Sequence, residues 1–185
     1  MKKKSAATER REKLRDEFFK GEEPWTGETD FGWFRAPRTL PLILALLAEK
    51  SLSGKLNPTS VYLELLARNI DTGLIEMKDE AEHASAAGFF STRAVRSWRE
   101  RMKVLEKNGF IKTKKIGNQP YKYVLLVHPT VAVKRLRDKK KVRDEWWDAY
   151  RARQIEVKED LFEDRQKKKA TNVVPIAAGK TAVNQ

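Results

Sequence analysis

From residue 39 onward, the spacing of apolar positions changes several times along the chain, and each change marks an element. The run 42–50 is apolar on nearly every side, as in a helix buried all round, with Thr39 able to cap it, Pro41 tolerated in its first turn and Ser53-Gly54 ending it. Asn57 followed by Pro58 is a cap with proline at the first helical position, and Val61, Leu63, Leu65, Leu66 and Ile70 supply an inward stripe, so a helix is expected over 58–69. Leu74 to Met77 alternates as a short strand. Asp79, with Glu82 three residues on, has the form of a capping box and opens a helix that Gly88 closes. Ser91 caps the next helix, which runs to Lys107 and stops at Asn108-Gly109. The segments 110–116 and 121–127 read as strands joined by the turn residues 117–120, a hairpin.

The flanks carry weaker patterns. Residues 1–20 have only Leu14, Phe18 and Phe19 as large apolar groups and are expected to be a mobile basic arm, although a charged helix could form there. Residues 21–37 are turn-rich, yet Trp25, Phe31, Trp33 and Phe34 are too apolar for a plain linker, so this lead-in is expected to pack on the domain. From Val131 the spacing predicts one long charged helix to about residue 169, and residues 170–185 have no periodicity and are expected to be a disordered tail. The organisation expected is thus 1–37 arm and lead-in, 38–130 a single domain, 131–169 a C-terminal helix and 170–185 tail.

Composition adds a constraint on partners. The 185 residues hold no cysteine, which excludes disulfides and thiolate chemistry and fits a reducing compartment. The longest apolar run, Leu40 to Ala48, is about half of the roughly 20 residues a membrane-crossing helix needs. Met1 to Ser5 is basic but is followed by charged residues, without the apolar stretch of a signal peptide, so a cytoplasmic protein with no membrane contact is expected. The net charge of +13 points to a polyanionic partner, nucleic acid first, with a generally basic soluble surface and an anionic membrane as the alternatives. The charge is concentrated: between 91 and 128 ten cationic residues face only Glu100 and Glu106, whereas between 49 and 82 four cations face seven carboxylates.

The order helix, helix, strand, helix, turn, helix, strand, turn, strand resembles the winged helix-turn-helix. The resemblance covers about 57–128 and is carried by TSVYLELLARN for the first helix, GLIEM for the small strand, AAGFFSTRAV for the turn into the recognition helix and LEKNGFIKTKK leading into the wing. It implies a mainly α fold with a small β-hairpin wing, here followed by a C-terminal helix, and a double-stranded DNA partner. Within that group the chain looks most like bacterial plasmid and phage proteins of replication or regulation. Initiators of that kind commonly pair two winged helices, whereas one is found here, so a transcriptional regulator or a replication or maintenance accessory factor is the role implied.

On the 91–107 helix, Val95, Trp98, Met102 and Leu105 share one face and are expected in the core. The opposite face carries Arg93, Arg96, Ser97, Glu100, Lys103 and Lys107. Arginine can bridge both acceptors of guanine, and serine or glutamate can accept from base amino groups, which makes Arg93 and Arg96 the expected base readers. In the hairpin, Lys112, Lys114, Lys115 and Lys122 flank Asn118 and Gln119 at a tip able to reach phosphates or a minor groove, and Thr92 could donate to a phosphate. An ordinary solvated charged face is the competing interpretation.

Further on, Lys134, Arg135, Arg137, Lys139, Lys140, Lys141 and Arg143 crowd one stretch that suits either phosphate contact or solvation. Trp146, Trp147 and Tyr150 either dock their helix on the domain or pair it with a second copy, giving a homodimer. The two histidines, His83 and His128, show no evident carboxylate partner in the sequence, and Gly179-Lys180-Thr181 lacks the preceding glycine of a phosphate-binding loop, Val174 standing in its place. Neither an enzyme nor a cofactor is expected. A winged helix used as a protein-interaction module is the alternative from another class, and RNA ranks lower because the basic face shows no exposed aromatics.

Overall fold

In a computed structural model, the chain is described over residues 5–19, 34–69 and 72–159. These residues form helices α1 (Ala6–Phe18), α2 (Leu40–Ala48), α3 (Lys50–Ser53), α4 (Thr59–Arg68), α5 (Glu80–Ala86), α6 (Ala94–Lys107), α7 (Pro129–Asp138) and α8 (Asp144–Glu156), and strands β1 (Leu74–Glu76), β2 (Ile111–Ile116) and β3 (Gln119–Leu126). The fold is therefore mainly helical with one small antiparallel sheet of order β1-β3-β2. No helix among the described residues is long and apolar enough to cross a membrane.

The first unit of the chain ends at Trp33. Of it the structure describes α1, where the arm expected at residues 1–20 is a helix: the Ser5 hydroxyl accepts the Thr8 N–H at 3.2 Å and caps it. α1 buries no residue, and Phe18 and Phe19 are exposed. The lead-in aromatics Trp25, Phe31 and Trp33 lie outside the described residues, as does everything after Glu159, including the expected tail.

The second unit holds one continuous core. Ile43, Leu46 and Leu47 of α2, Val61, Tyr62 and Leu65 of α4, Trp98, Met102 and Leu105 of α6, Phe110, Ile111 and Val124 of the hairpin and Ala132 and Val133 of α7 are all fully buried in it. Tyr62 meets Phe110 edge to face with centroids 5.3 Å apart, and burial raises the Tyr62 hydroxyl's pKa above the ordinary tyrosine value. Asn57 Oδ1 accepts the Thr59 N–H at 3.0 Å at the entry to α4, but the capping position is Pro58, one residue later than expected.

Four helices end in the same way. After α5 the Gly88 N–H reaches Ser85 O and the Phe89 N–H reaches Ala84 O; after α6 the Gly109 N–H reaches Glu106 O and the Phe110 N–H reaches Leu105 O. These are paired 5→2 and 6→1 bonds around a left-handed residue. The identical pair of bonds follows α7 and α8, but there the left-handed residue is a lysine, Lys140 at φ 55° and Lys158 at φ 54°. The single C-terminal helix expected from Val131 is accordingly broken in two. Its stop is a non-glycine residue in a conformation that lysine adopts at a cost, so no glycine or proline marks it in the sequence.

The two C-terminal helices fold back on the domain. Trp146 is buried, donates its indole N–H to Leu42 O at 3.2 Å and stacks on Tyr150 with ring centroids 5.0 Å apart. Of the aromatics proposed for a contact with a second copy, Trp146 and Tyr150 are thus consumed inside the chain. Trp147 is half-buried beneath the guanidinium groups of Arg137 and Arg151. Thr39, expected as a cap, makes no side-chain cap; its hydroxyl donates to Glu159 Oε2 at 2.8 Å. The other oxygen of Glu159 accepts from the Thr130 hydroxyl at 3.3 Å, so one carboxylate ties the start of α2 to the start of α7.

The helix ends generate a paired expectation. Gly109→Ala, at φ 77°, is expected to lower stability by about 1 kcal/mol, the scale of forcing an L side chain into the left-handed region, while Lys140→Gly is expected to raise it by up to about 1 kcal/mol. Urea unfolding of both variants checks the two signs, and a loss on Lys140→Gly would contradict the assignment of strain to Lys140.

Candidate nucleic-acid interface

α6 is placed through three side chains, Trp98, Arg101 and Asn108. Trp98 is fully buried, tilted against His83 of α5 with centroids 6.1 Å apart and edge to face with Tyr121 of β3 at 5.4 Å. Arg101 reaches the α4 side, donating to Asn57 O at 3.0 Å and lying 4.6 Å over the Phe89 ring. At the C-terminal end, the buried Asn108 side chain donates to Leu52 O at 3.2 Å and Val104 O at 2.9 Å, which fixes α6 against α3.

α5 is held from behind by a polar cluster in which Glu64 and His83 are buried and Arg68 and Glu82 reach the surface. His83 Nδ1 lies 2.9 Å from Glu64 Oε1, and the same carboxylate pairs with Arg68, whose other nitrogen reaches Glu82 at 2.9 Å. His83 therefore has a carboxylate partner, one contributed from nineteen residues away and so not evident in sequence spacing. Asp79 caps α5, accepting the Ala81 N–H at 2.8 Å, but the reciprocal half of the expected capping box does not form because Glu82 is spent on Arg68.

Between α5 and α6 runs a short turn, 87–93. The Ser91 hydroxyl accepts the Arg93 N–H at 3.3 Å and its carbonyl accepts the Ala94 N–H at 2.9 Å, so Ser91 caps a tight turn that precedes α6 rather than α6 itself. Thr92 and Arg93 are exposed on that turn.

The cations of this region sort by their partners. Arg99 pairs with Glu80 at 2.5 Å and Arg101 is taken by backbone carbonyls. On the outward face of α6, Arg96 makes a 3.1 Å pair with Glu100 while its side chain stays 76% exposed, a geometry of small energetic weight. Arg93, Lys103 and Lys107 are exposed and make no ion pair or hydrogen bond through their side chains among the described residues. Ser97 is half-buried toward the α4 side, with its carbonyl bound by Arg101 at 2.8 Å.

The hairpin divides its candidates between two faces. The sequence placed the turn at 117–120, whereas the strands close to a two-residue turn, Gly117-Asn118, with Ile116 opposite Gln119 and Gly117 at φ 53°. Ile111 and Thr113 face the core side of β2, where the Thr113 hydroxyl donates to Glu106 of α6 at 2.5 Å, and Lys115 continues that face. Lys112 and Lys114 sit opposite Leu125 and Tyr123 on the other face of the sheet, turned away from α6. A register shift between Lys114 and Ile116 lets Tyr121 enter the core while Lys122 swings to the outer face. There Lys122 pairs with Glu76 of β1 at 2.9 Å.

The thirteen residues expected to share one surface are therefore not all together. Thr92, Arg93, Arg96, Glu100, Lys103 and Lys107 lie on the turn and the outward face of α6. Asn118 and Gln119 line a cleft of about 310 Å³ with Val95 and Arg99 of α6, which brings the hairpin tip beside that helix. Lys112, Lys114 and Lys122 are on the far side of the sheet. One residue the sequence did not single out is Phe90, in the turn next to Ser91 and 85% exposed. It corrects the expectation that no aromatic is exposed beside the basic face, since nothing local in the sequence distinguishes Phe90 from the half-buried Phe89.

A second group of unpaired cations, Lys139, Lys140 and Lys141, is exposed at the end of α7. Around it Arg137 pairs with Asp144 at 2.5 Å, Arg143 with Glu49 at 3.1 Å and Lys134 with Asp138. Among the described residues no three acidic or histidine side chains gather as a metal site. Comparison with protein-family models, curated proteins and solved structures finds no match, so functional inference rests on this geometry.

The Lys122–Glu76 pair has a signature of its own. The hydrogen bond from Lys122 holds the Glu76 carboxyl below its ordinary pKa and raises the lysine ammonium above its own. Stability from Glu76 is present above the ordinary glutamate pKa and is lost as pH falls through the depressed value, while that from Lys122 is lost only as pH rises through its raised value. Carbon-13 NMR titration is expected to show Glu76 with a depressed midpoint that returns to the ordinary range in Lys122→Met; an unmoved midpoint would mean that the pair does not persist in solution.

Proposed function

We propose that the chain is a cytoplasmic double-stranded DNA-binding protein built on a winged helix-turn-helix domain. α6 is the recognition helix entering the major groove, and the β2–β3 hairpin is the wing. Topology supports the fold assignment: α4, β1, α5, α6, β2 and β3 follow one another in the order the resemblance implies, and the sheet order β1-β3-β2 puts the small strand against the returning arm of the hairpin. A regulatory or replication-accessory role follows from the same resemblance.

One observation carries the functional reading. Arg99 is paired with Glu80 and Arg101 is bound by backbone carbonyls, whereas Arg93, Lys103 and Lys107, on the turn and the outward face, are left without partners among the described residues. A helix surface that keeps unpaired guanidinium and ammonium groups beside a protruding hairpin suits a polyanion in a groove, where each phosphate neutralised releases counterions. Arg93, at the N-terminal end of α6, is the base reader in this proposal, with Arg96 beside it once Glu100 lets it go. Asn118 and Gln119, which line the cleft beside α6, and Lys115, on the β2 alternation of Ile111 and Thr113, make the wing contacts in this proposal.

Duplex affinity is expected to fall steeply with salt. Arg93→Ala is expected to cost roughly 1–3 kcal/mol and relax sequence preference, while Lys115→Ala weakens all sequences alike and lowers the salt slope by about one. Lys114→Ala, on the outer sheet face, is expected to leave the slope unchanged. Fluorescence titrations over a range of salt measure all three. Absence of binding at low salt, or indifference to salt, would rule out the reading and favour a protein-interaction module.

A further inference from the structure

Phe89 and Phe90 are neighbours in sequence with opposite fates. Phe89 is half-buried under the Arg101 guanidinium, whereas Phe90 is 85% exposed, more than any other large apolar side chain among the described residues, and takes part in no ring contact there. The backbone that presents it is fixed on both sides. Upstream, Gly88 at φ 89° and the 2.9 Å bond from the Phe89 N–H to Ala84 O close α5; downstream, Ser91 accepts the Arg93 and Ala94 amides. An exposed aromatic on a pinned turn is placed by the fold rather than left over by it.

The neighbours of Phe90 are Ser91, Thr92 and Arg93, side chains suited to hydrogen-bonding acceptors, and Phe90 itself can satisfy neither a phosphate nor a polar base edge. In duplex DNA the apolar group that a base pair displays in the major groove is the C5-methyl of thymine. We propose that Phe90 is a specificity-determining residue that packs on a thymine methyl at the edge of the α6 footprint, next to the base read by Arg93. The inference rests on the duplex-DNA reading above and adds to it an apolar preference that the polar candidates do not supply.

The test uses the full chain and a duplex obtained by binding-site selection with the wild-type protein. Each thymine is replaced in turn by deoxyuridine, the same base without its methyl group. One replacement is expected to weaken wild-type binding about three- to fourfold, the scale of burying a single methyl group. Phe90→Ala is expected to bind the thymine duplex more weakly and to lose that sensitivity, and Phe90→Leu to keep part of it. Because the Phe90 ring is solvent-facing, far-ultraviolet circular dichroism and the melting temperature should match wild type in both variants. A wild-type protein that ignores every deoxyuridine, a selected site without thymine, or a Phe90→Ala variant that keeps full sensitivity overturns the inference while leaving DNA binding intact. A wild-type protein that binds no duplex at low salt overturns the DNA reading and this inference together.

Discussion

The position of α6 depends on the burial of Trp98. Its indole touches both α5, through His83, and the hairpin, through Tyr121, so it sets the angle between the two elements that flank the exposed helix face. Fully burying an aromatic of this size contributes on the order of 3 kcal/mol from apolar area alone. The indole nitrogen has no partner in the interior, which means shape rather than hydrogen bonding holds the ring there. A smaller residue would leave space that α5 and the hairpin could fill only by tilting, and the outward cations would tilt with them.

Electrostatics follows from that packing. Glu80, Glu64 and Glu76 occupy Arg99, Arg68 and Lys122. The positive charge is consequently not a property of the whole surface. It is left unpaired in two places: Arg93, Lys103 and Lys107 on the turn and outer side of α6, where Glu100 takes only Arg96, and the three lysines after α7.

Most of the architecture was legible because its signals are local. The Asn57-Pro58 helix entry, the Asn108-Gly109 stop and the alternation of Ile111 to Ile116 each act within a few residues, and the structure uses each of them. What stayed hidden depends on partners far away in sequence. Glu82 has the spacing of a capping box but goes to Arg68; Thr39 has the chemistry of a cap but goes to Glu159. The break after α7 was invisible because its left-handed residue is Lys140. In the candidate site, helix periodicity found the outward face of α6. A single pattern of alternating residues could not show that the register shift in the hairpin sends Lys122 away from it, nor which of two phenylalanines stays outside.

The carboxylate of Glu159 closes a loop of 120 residues onto Thr39, and the Trp146 indole closes one of 104 onto Leu42. Contacts of this separation raise the contact order of an otherwise helical protein and slow its folding relative to a bundle with local contacts. They also mean that α2, apolar nearly all round, has no complete cover until α8 has left the ribosome. At synthesis rates of about 5–20 residues per second, the 104 residues between Leu42 and Trp146 leave that cover incomplete for about 5–20 seconds, a window in which the apolar face of α2 is open to other chains.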